Sequence, residues 1–231
     1  MRYDIILFDA DGTLLDFSRG EREAVAETMA ISGIEANEEL IQAYSEINDA
    51  MWKMLERGEI ERNVLLYKRF EVFCERFGFS ADAQKMAVDY RACLSKKGHM
   101  LDGAEELLKK LSGKCRMFIV TNGVESTQLG RFARCAIPQY MEKIFVSEAV
   151  GYEKPDVRFF EKLSSEIEGF DKARTVIVGD SLTSDIRGGI NYGIDTCWFA
   201  PNGKEPPADT DITKVARSFD EIYDFLVYGD C

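Results

Sequence analysis

Five short runs of apolar, β-favouring residues recur along the chain, at 3–8, 117–121, 144–147, 175–178 and 195–199. Each is nearly continuously apolar rather than alternating, which is the pattern of parallel strands covered on both faces. Helical stretches separate most of them. Asp102 with Glu105 reads as a capping box opening one helix, which Gly113 would end, and Ser218 with Glu221 reads as another, opening the last helix. Strands alternating with helices require right-handed crossovers. The pattern therefore predicts an α/β fold built on a doubly wound, Rossmann-like parallel sheet.

Residues 17–97 depart from this rhythm. Ile41, Tyr44, Ile47, Met51 and Met54–Leu55 fall at spacings of three or four, as do Val64, Tyr67, Phe70 and Cys74. Gly33, Gly58 and Gly78 punctuate the stretch. The expectation is a separate helical bundle of four helices over 17–97, inserted into a core formed by 1–16 and 98–231. Linkers would lie near 15–20 and 95–101.

Composition narrows the function classes. Lys and Arg number 29 against 41 Asp and Glu, a net charge of −12, which argues against a nucleic acid polymer as partner. A small phosphate ester stays open, because a local pocket can be positive inside a negative molecule. No apolar stretch approaches bilayer length, so no membrane partner is expected. No leader is read at the start of the chain, and the six cysteines form no Cys-x-x-Cys pair. Reduced thiols and a cytoplasmic location are the expectation. The single histidine, His99, stands in a polar Lys-Lys-Gly-His stretch and reads as an exposed linker residue. One histidine rules out zinc sites built on paired histidines. No Gly-x-x-x-x-Gly-Lys-Ser/Thr loop is present either.

Candidate chemistry gathers at strand ends. The first strand runs into Asp9-Ala10-Asp11-Gly12-Thr13. Residues two apart in a strand point the same way, so Asp9 and Asp11 project together at the carboxyl end, where open α/β sheets place ligands. Two carboxylates so close must share a proton or gather a cation; taken alone, they also describe an acidic turn. The run 175–178 leads into Gly179-Asp180 and on to Asp185. These carboxylates suit a hard, oxygen-loving cation such as Mg²⁺, or else cap the following helix. Thr121-Asn122-Gly123 offers a hydroxyl and turn amides that can hold phosphate oxygens, and equally makes an ordinary polar turn. Lys154, before Pro155, is a point charge able to hold a phosphate, or an isolated surface lysine.

The order of these pieces is what is specific. Asp-x-Asp-Gly-Thr, strand–Thr-Asn-Gly, Lys-Pro and Gly-Asp-x-x-x-x-Asp occur in sequence over essentially the whole chain. In this the chain resembles the haloacid dehalogenase superfamily of hydrolases. The resemblance implies a core sheet in order 5-4-1-2-3 and a helical cap where the 17–97 insertion lies. It implies Asp9 as nucleophile, Asp11 as general acid then base, and Thr121 and Lys154 as phosphoryl-binding residues, with Ala10, Asn122 and Gly123 beside them. It also implies Mg²⁺ held by Asp9, Asp180 and the Asp11 main-chain carbonyl, with Asp185 steadying the metal.

Asp-Ala-Asp at the first motif, Ser147-Glu148 before Gly151, and Ser184-Asp185-Ile186 through Gly188-Gly189 and Asn191 to Thr196-Cys197-Trp198 are similar to the house-cleaning nucleotidase branch of that superfamily. That likeness implies nucleoside 5′-monophosphates, pyrimidine and deoxy forms above all, as substrates. Asn48, Trp52, Arg69 and Phe70 are also similar to that branch. Phe17, Trp52 and Phe70 are candidate walls for a base, while the apolar helical faces carrying Trp52 and Phe70 read equally as bundle core. Gly188-Gly189, against helix propensity, reads as close helix–sheet packing. Alternatives are a phosphoglycolate, sugar or acylneuraminate phosphatase on the same core, a metal-independent dehalogenase, or a silent binding protein. The oligomeric state is not legible.

Overall fold

The computed structural model describes residues 1–229. Six parallel strands form one sheet: β1 (Ile5–Phe8), β2 (Arg116–Thr121), β3 (Lys143–Val146), β4 (Thr175–Gly179), β5 (Asp195–Phe199) and β6 (Lys214–Ala216). Their order is β3-β2-β1-β4-β5-β6. The five expected strands take the expected order. The sixth extends the β5 edge, with Trp198 opposite Val215. Its three residues, Lys-Val-Ala, are too few to carry a periodic signal.

The chain forms two compact units. One comprises Met1–Asp16, Met100–Glu125 and Cys135–Cys231; the other comprises Phe17–His99 and Ser126–Arg134. The second unit holds α1 (Phe17–Ile31), α2 (Glu38–Glu56), α3 (Arg62–Phe77) and α4 (Ala83–Leu94). The Asn37 side chain caps α2 by accepting from the Leu40 N–H, and Asp82 caps α4 by accepting from Gln84 and Lys85. An aromatic knot of Tyr44, Phe70, Phe73 and Tyr90 fills the bundle, with the Tyr44 and Phe70 centroids 4.9 Å apart. Beside it lies a buried polar chain. Ser45 Oγ and Asn48 Nδ2 donate to the two oxygens of Glu21 at 2.6 and 2.7 Å, and Arg69 Nη1 donates to Asn48 Oδ1 at 2.6 Å. His99 is not an exposed linker residue. It is half-buried, with Nε2 2.9 Å from Glu23 Oε2, because Glu23 gathers Arg19, Lys97 and His99 around one carboxylate.

The sheet unit carries α5 (Ala104–Leu111), most of its crossovers, and the later helices. These follow α6 (Glu125–Phe132) and are α7 (Ser147–Val150), α8 (Val157–Glu166), α9 (Arg187–Tyr192) and α10 (Phe219–Tyr228). All four residues of β1 are buried, and burying each such side chain contributes roughly 1.5–3 kcal/mol. Ile5, Leu7, Phe118, Val120 and Ile177 pack on one face against Phe159, Phe160 and Leu163 of α8.

The Ser218 half of the expected capping box forms, its side chain accepting from the Glu221 N–H, while the Glu221 carboxylate accepts from the Arg217 N–H one residue earlier. The Asp102 capping box does not form. The helix starts at Ala104 behind Gly103, without a side-chain cap, and the Ala104 N–H is taken by the Leu101 carbonyl at 3.0 Å. The Gly188-Gly189 pair does pack closely. A Cβ on Gly188 would lie 2.7 Å from the Phe160 ring, and one on Gly189 would lie 2.6 Å from Ile177 and Thr196. Among the described residues no cysteine forms a disulfide; Cys231 lies outside them. No helix among the described residues is long and apolar enough to cross a membrane.

Candidate active site

The carboxyl ends of β1, β2 and β4 bring the sequence-predicted residues of the sheet unit together. Asp9 follows β1 directly, its N–H donating to the Val178 carbonyl at 2.9 Å. The chain then folds back on itself: Leu14 and Leu15 both donate to the Ala10 carbonyl, and Gly12 donates to Leu15. Gly12 sits at φ +80°, and a Cβ there would collide with the Asp180 carboxylate. Only glycine meets both demands.

Lys154 is the centre of the arrangement. It is 1% exposed, and its Nζ donates to Asp9 Oδ1 at 2.7 Å, Asp185 Oδ1 at 2.6 Å and the Val120 carbonyl at 2.6 Å. All three ammonium donors are thus used. Asp185 spends its other oxygen on the Ser181 N–H at 3.1 Å. It therefore does bond the turn at its own helix end, a single wide π turn over Leu182–Ile186, but its first oxygen serves Lys154. Carboxylate oxygens of Asp9, Asp180 and Asp185 all lie within 4.8 Å of one another.

One buried ammonium among these carboxylates leaves the site net negative. Burial pushes the Asp9 carboxyl up to about 7, Asp185 and Asp11 add repulsion, and Lys154 pulls the other way. Asp180 is pushed up as well, by the protein packed around it and by the charges of Asp9 and Asp185. Its side chain still reaches solvent, so repulsion from its two neighbours is the durable part of that rise. Burial opposes the Lys154 charge, and the adjacent Asp185 and Asp9 outweigh it and hold the ammonium raised. An all-oxygen donor set with excess negative charge fits a hard divalent cation, which would relieve this repulsion.

Thr121 is buried at the end of β2, its Oγ1 accepting from the Gly123 N–H at 3.1 Å. Asn122 holds the main chain of Lys154. Its Nδ2 donates to the Lys154 carbonyl and its Oδ1 accepts from the Lys154 N–H, both at 2.9 Å. Three contacts had no assigned role in the sequence reading: this amide clamp, the Thr13 hydroxyl 3.4 Å from Asp9 Oδ2, and the Trp198 indole donating to the Asp180 carbonyl at 2.8 Å. Thr13 was visible four residues after Asp9. The other two depend on which loops the sheet sets side by side.

The aromatic candidates lie in the helical unit and behave differently from one another. Phe70 is fully buried in the aromatic knot, so it is bundle core and not a wall for a base. Periodicity placed it on an apolar face, and the tight packing of Tyr44, Phe73 and Tyr90 closes that face. Phe17 is half-buried with the Arg131 guanidinium 5.7 Å from its ring centre. Trp52 is half-buried, with Arg62 6.0 Å from its ring centre.

Comparison with known proteins gives the family. A family model described as haloacid dehalogenase-like hydrolase matches residues 3–193. The chain belongs to that family. The hydrolase is 36% identical over 227 residues to pyrimidine 5′-nucleotidase PynA of Streptococcus pneumoniae, covering 98% of this chain and 96% of that protein. It is 30% identical over 226 residues to pyrimidine 5′-nucleotidase YjjG of Escherichia coli, covering 98% and 99%. Its fold superposes on the magnesium-bound crystal structure of HAD-hydrolase YfnB from Bacillus subtilis with a TM-score of 0.94, at 33% identity, covering 98% of this chain and all of that one.

Proposed function

We propose that this hydrolase is a Mg²⁺-dependent phosphatase of nucleoside 5′-monophosphates, with pyrimidine forms preferred. The observation that carries the chemistry is the buried Lys154 ammonium tying Asp9 to Asp185 beside Asp180. A carboxylate held this way is aimed, and the site is short of positive charge. The substrate preference is supported by the full-length likeness to two pyrimidine 5′-nucleotidases.

Asp9 attacks phosphorus, forming a carboxylate–phosphorus bond as the ester P–O bond breaks. Asp11, entering as the acid, gives its proton to the departing alkoxide, and the nucleoside leaves. As a carboxylate, Asp11 then takes a proton from water. The water oxygen attacks the same phosphorus, the bond to Asp9 breaks, and inorganic phosphate is released. The Thr121 hydroxyl holds a phosphoryl oxygen through both steps, and Lys154, which orients Asp9 beforehand, exchanges its bond to the Asp9 carboxylate for one to the phosphoryl group as Asp9 attacks. Asp9, Asp180 and the Asp11 main-chain carbonyl would hold Mg²⁺, with Asp185 steadying it. The ion supplies charge neutralisation where an anionic nucleophile meets an anionic ester.

The test is phosphate release from a panel of nucleoside monophosphates, sugar phosphates, acylneuraminate phosphate and phosphoglycolate, with Mg²⁺ or EDTA, using wild type and Asp9→Asn. Activity is expected only with Mg²⁺, highest on pyrimidine monophosphates, and lost in Asp9→Asn. A preferred sugar phosphate would keep the mechanism and remove the nucleotidase reading. EDTA-resistant turnover, or full activity in Asp9→Asn, would remove the mechanism.

A further inference from the structure

Trp198 enters the sequence reading only as part of a likeness, with no task. It sits on β5 opposite Gly179, the last residue of β4, and is 3% exposed among Leu182, Ile186, Ile190 and Ala200. An indole so placed could serve as packing alone. Its one polar group does more: Nε1 donates to the main-chain carbonyl of Asp180 at 2.8 Å.

That carbonyl is half of a peptide group. The other half is the Ser181 N–H, which donates to Asp185 Oδ2 at 3.1 Å. The peptide bond is planar, so the two bonds grip one rigid plate from opposite ends. Turning it about the Asp180 Cα–C bond would break both. On the other side of Asp180, Gly179 is fixed by its pairing in the sheet. The Asp180 carboxylate therefore leaves a backbone that cannot swivel, and it lies against Gly12 where no Cβ could stand.

We propose that Trp198 is a positioning residue for the cation-binding carboxylate of Asp180, acting through the Asp180–Ser181 peptide group. The inference rests on the reading of this cluster as a Mg²⁺ site. Partners of this kind, which touch a ligating residue and not the ion, change metal affinity about 10- to 100-fold when removed. Phenylalanine keeps most of the ring volume and deletes the N–H, which separates positioning from packing.

The experiment is calorimetric titration of Mg²⁺ into the full-length protein, wild type and Trp198→Phe, with the thermal midpoint of each measured in EDTA. Roughly 10-fold weaker Mg²⁺ binding in the variant, with a midpoint near wild type, is the expected result. Equal affinities would overturn the inference and leave the Mg²⁺ reading standing, and a lowered midpoint with equal affinity would make Trp198 packing only. Wild type that binds no Mg²⁺ would overturn the Mg²⁺ reading and the inference together. Should Trp198→Phe fail to fold, Trp52→Phe leaves Trp198 as the only tryptophan. Mg²⁺ is then expected to shift its emission, and binding seen by calorimetry without any emission change would count against the coupling.

Discussion

Lys154 is a lysine with almost no contact with water, and that alone would be costly. Asp9 and Asp185 offset the cost by placing a carboxylate oxygen within 2.7 Å on two sides. The same pairing aims Asp9 and leaves Asp180 without a cation of its own among the described ion pairs. Asp11 is half-buried, beyond the end of β1, and in the proposed mechanism it exchanges protons with the leaving group and with water. Replacing it, Asp11→Asn, is expected to lower kcat by roughly 10²–10⁴-fold. Steady-state phosphate release checks this, and a loss under tenfold would assign the proton transfer elsewhere. At this scale the sequence was informative because the candidate carboxylates Asp9, Asp11 and Asp180 sit at fixed offsets from strand ends. It was silent on Phe70, since an apolar helical face looks the same whether it lines a pocket or a closed core.

The strand–turn–helix element of β4, the π turn and α9 holds two of the carboxylates, and its helix lies close on the sheet. Gly188 and Gly189 permit that closeness, with Phe160 on one side and Ile177 and Thr196 on the other. Gly188→Ala is therefore expected to lose about 1–3 kcal/mol of stability through overpacking, despite alanine's better helix propensity. Urea denaturation measures it, and a stabilised variant would show that Phe160 yields freely. The Asn122 clamp joins the end of β2 to the loop bearing Lys154 by two bonds. Asn122→Ala is expected to lower kcat/KM about 10-fold or more, from two lost hydrogen bonds at about 1 kcal/mol each; unchanged kinetics would leave Lys154 held by its side chain alone. The five expected strands were legible because buried parallel strands are continuously apolar, and their order was what the family resemblance implied. The edge strand β6 was not, being short, and the Asp102 cap failed because backbone geometry at Gly103 took its place.

At the scale of the whole molecule, the net charge of −12 is spread over a surface of paired ions, while inside the helical unit one carboxylate stands apart. Glu21 joins α1 to α2 through Ser45 and Asn48, and Asn48 joins α3 through Arg69. Burial raises the Glu21 carboxyl above its ordinary 4.5, with the hydrogen bonds from Ser45 and Asn48 pulling back. A raised value means the folded protein holds this proton more tightly than the unfolded chain does. The stability it contributes is full below 4.5 and is lost as pH rises through the raised folded value. Glu21→Gln keeps both hydrogen bonds, with Ser45 turned to accept, and removes the titration. The difference in urea midpoint between variant and wild type should grow in the variant's favour as pH rises above 4.5, and a difference constant with pH would deny Glu21 that role. Nothing in the helical periodicity revealed this polar chain, because its members come from three helices far apart in sequence.

The stretch from Phe17 to His99 also departs from and returns to the sheet unit between two paired segments of that unit's backbone. Leu15 bridges Met100, and the Leu101 N–H donates to the Leu14 carbonyl at 2.9 Å. Seen from the sheet, everything between these residues is one closed loop whose ends are already zipped. The entropy of closing such a loop grows only with the logarithm of its length, so the sheet is nearly indifferent to how much chain the paired segments enclose. A bundle of another size, with other side chains facing outward, could be inserted between the same segments without retuning the strands that carry Asp9 and Asp180. A few residues of paired backbone thus close the sheet unit behind this insertion, whatever its length.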